Sequence, residues 1–483
     1  MLHIFSTVWP YLFGLAHFLV MIFAAAHVVL TKRDNRAAIG WAGIIVLTPF
    51  LGALLYFMFG INRLHRRARR LLRTQARGKG SRGLAHCSPD AVQRALGPER
   101  SHMAPLAEFV GRVTGLPLLD GNAITPLPSG DGAYREMTLA IEHAKKTVTL
   151  ATYIFDNDAA GAMFVDVLTS AVARGVEVRV LMDDVGTRYT WPSIKGKLRE
   201  ASIPFATFLP TLIPWKLNYS NLRSHRKILV VDGSLGYTGG MNIRQGTMES
   251  NCGQHPLCDL HFRVEGPVVA HLQETFLLDW EFCTGEKLEG EAWFPSLTPQ
   301  GNVLARGIAD GPDLDFDKIR LTIHGAIDCA HRSIHIVTPY FLPDQTLILA
   351  LTVAAMRGVD VNIFIPEQNN LKLVQWACMA QLWQVLQRGC KVWLTPPPFD
   401  HSKIMLVDDV WSMIGSGNWD PRSLRLNFEF NVECYDRELA ARLRDLVELK
   451  RQRSKKITLA DVDGRPLLIR LRDGVARLAT PYL

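Results

Sequence analysis

Two tandem copies of one α/β domain, related by a pseudo-two-fold and preceded by an apolar helical hairpin, are what this 483-residue sequence predicts. Three observations predict them. Two uncharged stretches at the amino terminus are each long enough to cross a bilayer; β-rich runs alternate with helical patterns from about residue 103 onward; and one polar motif occurs twice. With 48% hydrophobic and 21% charged residues, the chain can bury a large core and is neither disordered nor fibrous.

The hairpin comes first. No Asp, Glu, Lys or Arg occurs in 1–31 or in 37–60, and the connection Lys32-Arg33-Asp34-Asn35-Arg36 is a polar turn. A bilayer-spanning helix needs roughly 20 apolar residues, so the segment 1–62 reads as a transmembrane hairpin. It lacks the charged start and short apolar run of a cleaved secretory signal. Pro49 and Gly52 interrupt the second stretch, which leaves a kinked or re-entrant segment as the alternative to a second crossing. Three basic residues in the connection face nine, with no acid, in 61–82. The positive-inside bias therefore puts the large carboxy-terminal portion in the cytoplasm, on the bacterial inner membrane. The same stretch, within a juxtamembrane linker over 63–104, can attract anionic headgroups at about 1 kcal/mol per basic residue.

That cluster also bounds the class of partner. Lys plus Arg exceed Asp plus Glu by 54 to 46, a formal +8, so the chain outside the cluster sums to 8 − 9 = −1. A binder of nucleic acid that is basic throughout is excluded. The eight cysteines are scattered and, in the cytoplasm, reduced. Cys252, His255, Cys258 and His261 interleave, but their spacing matches no standard zinc site and no metal or other cofactor is expected.

The remainder repeats itself. Residues 147–155 read as a buried strand, followed by a helical pattern ending at Arg174-Gly175 and a strand over 176–181; 333–341, Arg357-Gly358 and 359–364 repeat that order. Each Gly falls where a helix carboxy-terminal cap belongs.

The chemistry repeats as well. His225-Arg-Lys227-Ile-Leu-Val-Val-Asp232 and His401-Ser-Lys403-Ile-Met-Leu-Val-Asp408 are both H-x-K-x-x-x-x-D. After six further residues each is followed by a small-residue turn with an Asn: Gly239-Gly240-Met241-Asn242 and Gly415-Ser416-Gly417-Asn418. On a strand, His and Lys two residues apart project to one face. Two copies brought together would surround one pocket with two imidazoles and two ammoniums, which is what a phosphodiester needs. One neutral imidazole attacks phosphorus while the other, protonated, gives its proton to the leaving alkoxide; the roles then reverse. The lysines, Asn242, Asn418 and nearby backbone amides would stabilise the non-bridging oxygens of the five-coordinate transition state, without a metal.

These paired motifs resemble those of the phospholipase D superfamily. With the hairpin and the segments TPYFLPD, AAMRGVDV, GGMN, VEGPVV and FLLDW, nearly the whole chain is similar to the bacterial cardiolipin synthases. The resemblance implies phospholipase D-like domains over 105–298 and 299–483, a phosphatidyl-histidine intermediate, and phosphatidylglycerol as both donor and acceptor, giving cardiolipin and glycerol. By the family pattern His225 is the nucleophile and His401 the general acid, although the motifs themselves are nearly equivalent. Asp259 and Glu429 fall where the family places an acid against the imidazole of the opposite half, which makes Asp232 and Asp408 partners within their own motifs. The stretch after Asn242 lacks the aromatic landmark expected there, so Asp259 rests on less than Glu429.

Transfer rather than hydrolysis requires exclusion of water. The apolar, Pro-rich segment 205–215 is the candidate interfacial loop, and Trp376, Trp383 and Pro396-Pro-Pro398 precede His401 in a comparable way. The competing readings are a hydrolase of the same type, phosphatidylethanolamine as acceptor, a tethered nuclease, and a non-catalytic lipid-binding scaffold; intact motifs in both halves oppose the last.

Overall fold

The computed structural model describes residues 2–32, 35–60, 87, 89–210, 222–253, 256–312 and 315–480. The chain divides into two compact units, one centred on 1–70 and one holding both repeats.

In the first unit, Leu2–Thr31 is one helix, and its Val8–Thr31 portion, 24 residues with mean hydropathy 2.2, is the only described helix long and apolar enough to cross a membrane. The second apolar stretch does not form the expected second span. It breaks into Asn35–Leu47 and Pro49–Leu55, with a π-helical turn over Tyr56–Gly60. Thr48 leaves the helical region at φ −141° and ψ 71°, and Pro49, which has no N–H to give, starts a new helix. The chain then doubles back. A side chain at Gly52 would meet the Ile44 carbonyl oxygen at 2.6 Å. Phe50 lies against Phe13, at 5.4 Å between rings, whereas Tyr56 returns to Trp41 at 5.5 Å and its hydroxyl sits 2.9 Å from His27 Nδ1. The basic cluster of 61–82 lies outside the described residues.

The described residues of the second unit form 18 strands, of which β14 and β8 pair apart from the main sheet. The first repeat supplies β1 Leu119–Leu127, β2 Thr147–Thr152, β3 Glu177–Asp183, β4 Phe205–Phe208, β5 Arg223–Ser224, β6 Ile228–Val231, β7 Leu235–Gly239, β8 Leu257–Cys258 and β9 His261–Glu265. The second supplies β10 Val303–Asp310, β11 Ser333–Val337, β12 Asp360–Pro366, β13 Lys391–Thr395, β14 Phe399–Asp400, β15 Ile404–Val407, β16 Trp411–Gly415, β17 Asn427–Tyr435 and β18 Lys455–Ile457. The sheet runs β18-β13-β12-β11-β15-β16-β17-β10-β1-β9-β7-β6-β2-β3-β4. Read outward from the β1–β10 pair, the two arms match strand for strand, with β18 added at one end; this is the predicted pseudo-two-fold.

Local chemistry accounts for the match. Arg174-Gly175 and Arg357-Gly358 end their helices with glycines at φ 86° and 94°, a left-handed conformation that costs other residues a Cβ clash. The all-apolar cores of β6 and β15 are buried on both faces, as expected of a strand sandwiched between layers. Asp232 and Asp408 sit at the far ends of these strands at φ 50° and 55°. Asp232 accepts from the backbone amides of Lys145, Lys146 and Thr147, and Asp408 from those of His331, Arg332 and Ser333. Each carboxylate thus ties the end of the motif strand to the start of β2 or β11.

Two expectations need correction. Residues 89–104 are no simple linker: Val92, Leu96 and Met103 are buried in the core of the second repeat, and the following helix Ala104–Thr114 packs there as well, with Arg306 Nη2 donating to the Ala107 carbonyl at 2.8 Å. In the proposed interfacial loop, Phe205–Phe208 form β4 and Phe208 is buried against Phe282 and Phe428; 211–215 lie outside the described residues.

Candidate active site

The strand pairs that cross between the repeats create the site. β5, just before His225, pairs in parallel with the start of β17, and β14, just before His401, pairs in parallel with β8. The His225 amide donates to the Phe428 carbonyl at 2.8 Å, and the His401 amide to the Cys258 carbonyl at 2.7 Å. The residues next in line, Glu429 and Asp259, are thereby delivered to the histidine of the opposite repeat. His225 Nδ1–H donates to Glu429 Oε2 at 3.0 Å, and His401 Nδ1–H to Asp259 Oδ2 at 2.7 Å. Asp259 therefore meets His401 as Glu429 meets His225, despite the missing aromatic landmark.

With Nδ1 occupied, Nε2 is the nitrogen that each ring keeps for chemistry. The ring centroids are 6.4 Å apart and the planes nearly perpendicular, at 82°. That gap holds one phosphoryl group with reacting atoms about 3 to 3.5 Å apart. Lys227 Nζ donates to the His225 carbonyl at 2.7 Å; Lys403 Nζ donates to the His401 carbonyl and lies 2.9 Å from His401 Nδ1.

Four cationic or potentially cationic groups share one buried place. Burial lowers Lys227 to about 7, with Glu429 opposing and Lys403 adding to the shift, and burial lowers Lys403 to about 8 against the pull of Asp259 and Glu429. Burial lowers His225, partly opposed by Glu429; burial and then Lys403 hold His401 well below the usual imidazole range. An anionic phosphodiester between the rings reverses the sign of this environment, favouring the protonated forms. The site is thus poised to take up a proton together with an anion.

The remaining predicted residues divide. Asn242 Oδ1 accepts from the Ile154 amide at 3.1 Å, whereas the buried Asn418 amide oxygen has no hydrogen-bond partner among the described residues. Asp232 and Asp408, read on sequence as partners within their own motifs, are engaged by backbone amides as described above. His255 lies outside the described residues, and no group of three or more His, Cys, Asp or Glu converges as metal ligands among the described ones.

Sequence reading missed several contributors. Tyr153 lies edge-on to His225 at 5.2 Å, with Lys227 Nζ 5.6 Å from its ring centre, and Tyr340 lies edge-on to His401 at 6.3 Å. Ser416 Oγ and Asn427 Nδ2 donate to the two oxygens of Glu429, at 2.5 and 3.2 Å. Arg226, between His225 and Lys227, donates to Asp279 Oδ1 at 2.6 Å and to the Glu429 carbonyl at 3.1 Å, so the Asp of the FLLDW segment clamps the motif. Two tyrosines following the β2 and β11 runs were the available signal.

Comparison with known proteins agrees with this geometry. A family model described as "Cardiolipin synthase, PLD-like domain" matches residues 137–280 and 323–449, one match per repeat, and one described as "Phospholipase_D-nuclease N-terminal" matches 19–60. The chain is 32% identical to the cardiolipin synthase A of Pseudomonas entomophila (strain L48) over 98% of both chains, and 32% identical to the major cardiolipin synthase of Bacillus subtilis (strain 168) over 97% of this chain and 98% of that one. Among solved structures, the phosphatidylserine synthase of Haemophilus influenzae Rd KW20 shares the fold with a TM-score of 0.62 at 16% identity, covering 78% of this chain and all of that one. Two matched repeats, a pair of facing imidazoles and end-to-end similarity lead to one conclusion: the chain belongs to the cardiolipin synthase family of the phospholipase D superfamily.

Proposed function

We propose that the chain is a membrane-anchored phosphatidyltransferase that makes cardiolipin from two molecules of phosphatidylglycerol. The observation that carries this reading is the 6.4 Å pairing of His225 and His401, each held by a carboxylate of the other repeat. His225 Nε2 forms a bond to the phosphorus of the first lipid. The bond from phosphorus to the headgroup oxygen breaks, and His401 gives its Nε2 proton to that oxygen, releasing glycerol. His401, now neutral, takes the proton of the terminal hydroxyl of a second phosphatidylglycerol, whose oxygen displaces His225 from phosphorus. Lys227, Lys403 and the Asn242 and Asn418 side chains face the charge that builds on the non-bridging oxygens.

The anchor fits the same scheme. Because the second apolar limb doubles back and Tyr56 returns to His27 and Thr31, the basic residues that flank the two limbs in sequence, three in 32–36 and nine in 61–82, add up in one positive-inside signal for the cytoplasmic side. The two repeats, taken as domains over 105–298 and 299–483, follow in the cytoplasm. A membrane-impermeant thiol reagent should react with Asn35→Cys in inverted vesicles and not in intact spheroplasts; the reverse would restore two full crossings.

Purified protein given vesicles of phosphatidylglycerol alone should release glycerol and a diphosphatidyl lipid. Phosphatidic acid as sole product would mean a hydrolase, and product formation only after adding phosphatidylethanolamine would move the acceptor.

A further inference from the structure

The carboxy-terminal helix Leu467–Leu478 is built inside out. Its covered face carries Asp473, only 1% exposed, paired to Arg465 Nη1 at 2.5 Å and to Arg472 Nη2 at 2.7 Å. Its outer face carries Leu467, Leu468, Leu471, Val475 and Leu478, each 56% to 79% exposed. At 3.6 residues per turn these five side chains fall within one arc of about 100°. Arg470, Arg472 and Arg477 flank the arc, and the one acid of the helix is the buried Asp473. A helix that turns apolar side chains outward between arginines has the composition of one that lies in the interface of an anionic bilayer.

Its neighbours tie this face to the site. The helix packs against Lys372–Met379, where the Arg472 guanidinium sits 4.3 Å from the Trp376 ring centre and Arg465 Nη2 donates to the Met379 carbonyl at 3.1 Å. Leu371 and Leu373, at the start of that neighbour, are also exposed. Lys372–Met379 further lines a shallow groove with Val374, Cys378 and Met379, and Tyr340, the ring beside His401, is among its other lining residues.

We infer that Leu467–Leu478 is a membrane-docking helix that seats the groove beside Tyr340 and His401 against an anionic lipid surface. Charge complementarity and the groove select lipid over a second copy of the chain, and the choice of occupant rests on the lipid-substrate reading above. Docking would let a lipid headgroup reach His401 while its acyl chains stay among lipid.

The test uses the full chain with p-benzoyl-phenylalanine in place of Leu471, reconstituted into phosphatidylglycerol vesicles and irradiated. Adducts with the mass of the lipid are expected, reduced at least tenfold when Leu468→Glu and Val475→Glu are added; these surface positions leave the core untouched. Cross-linked dimers, or no lipid adduct, would overturn the proposal. In parallel, the double variant should lose at least tenfold in turnover on vesicles and stay within twofold of wild type on short-chain, monomeric phosphatidylglycerol; equal loss on both would contradict docking. A wild-type chain inactive on every lipid would sink the functional reading alone, because the cross-link reports docking without turnover.

Discussion

The two halves of the site share a plan and differ in how they hold the carboxylate. Glu429 is held at both oxygens, by His225, Ser416 and Asn427, whereas Asp259 has His401 and its neighbouring Leu260 amide. Ser416 has Gly240 as its counterpart, and there a side chain would meet Asp259 Oδ1 at 2.1 Å. The electrostatic outcome follows. The dense bonding led by His225 keeps Glu429 below the usual carboxylate range against the cost of burial, while burial pushes Asp259 up to about 6. In addition Lys403 crowds the nitrogen that Asp259 holds. In the proposed mechanism, a Glu429 held in its anionic form favours the His225 tautomer whose Nε2 lone pair can attack, and a carboxyl that titrates nearer neutrality suits an imidazole that gains and loses a proton. A duplicated motif thus has two different surroundings, and under the proposed mechanism equivalent residues are told apart by what holds their partners.

The largest expected effect separates the imidazoles themselves. His225→Ala should lower turnover about 10⁴-fold or more and abolish a covalent phosphatidyl adduct in acid-quenched protein. His401→Ala should slow formation of that adduct by about 10² to 10⁴-fold yet still allow it on a substrate with a good leaving group. An adduct that survives in His225→Ala would reverse the assignment.

Next come the carboxylates. Glu429→Gln should cost about 10³-fold in kcat, and Asp259→Asn about 10²-fold, since the first sets the tautomer of the nucleophile and the second supports an acid. Equal losses would erase the proposed asymmetry. A smaller change sharpens it: Ser416→Gly, which makes the second turn like the first, should cost about tenfold, the value of one hydrogen bond to a charged group.

The mildest test is the shape of kcat/KM against pH, which reports the free enzyme. Activity should fall below about 6 as Asp259 gains a proton and releases its hold on His401. It should fall again above about 7 to 8 as Lys227 and then Lys403 lose theirs. Asp259→Asn should remove the lower limb and leave the upper one.

Residues that act through a repeated linear pattern were legible in the sequence. The apolar runs of the two H-x-K-x-x-x-x-D motifs, their glycine caps and the Asn turns are fixed by local spacing and fall where the pattern placed them, whereas the His and Lys of each motif, expected on the strand, lie just ahead of β6 and β15. Asp259 and Glu429 became visible only through family resemblance, because their histidines are 142 and 204 residues away in the chain. Ser416, Asn427 and the tyrosines were not singled out, since a hydroxyl or amide beside a carboxylate is a property of the folded pair. For the second apolar limb, the re-entrant form that Pro49 and Gly52 signal stood only as the alternative to a full crossing, because hydropathy counts residues and does not register the reversal at Thr48 and Pro49. Residues 89–104 looked like a spacer because their contacts, such as His102 Nε2 with Asp408 Oδ2 at 2.7 Å, are long-range.

A crystal structure with a phosphate mimic such as tungstate addresses the centre of the account. One oxyanion, bonded to Nε2 of His225 with Nε2 of His401 within hydrogen-bond distance on its opposite side, is the predicted result. Two separate anions, each held by one histidine alone, would contradict it.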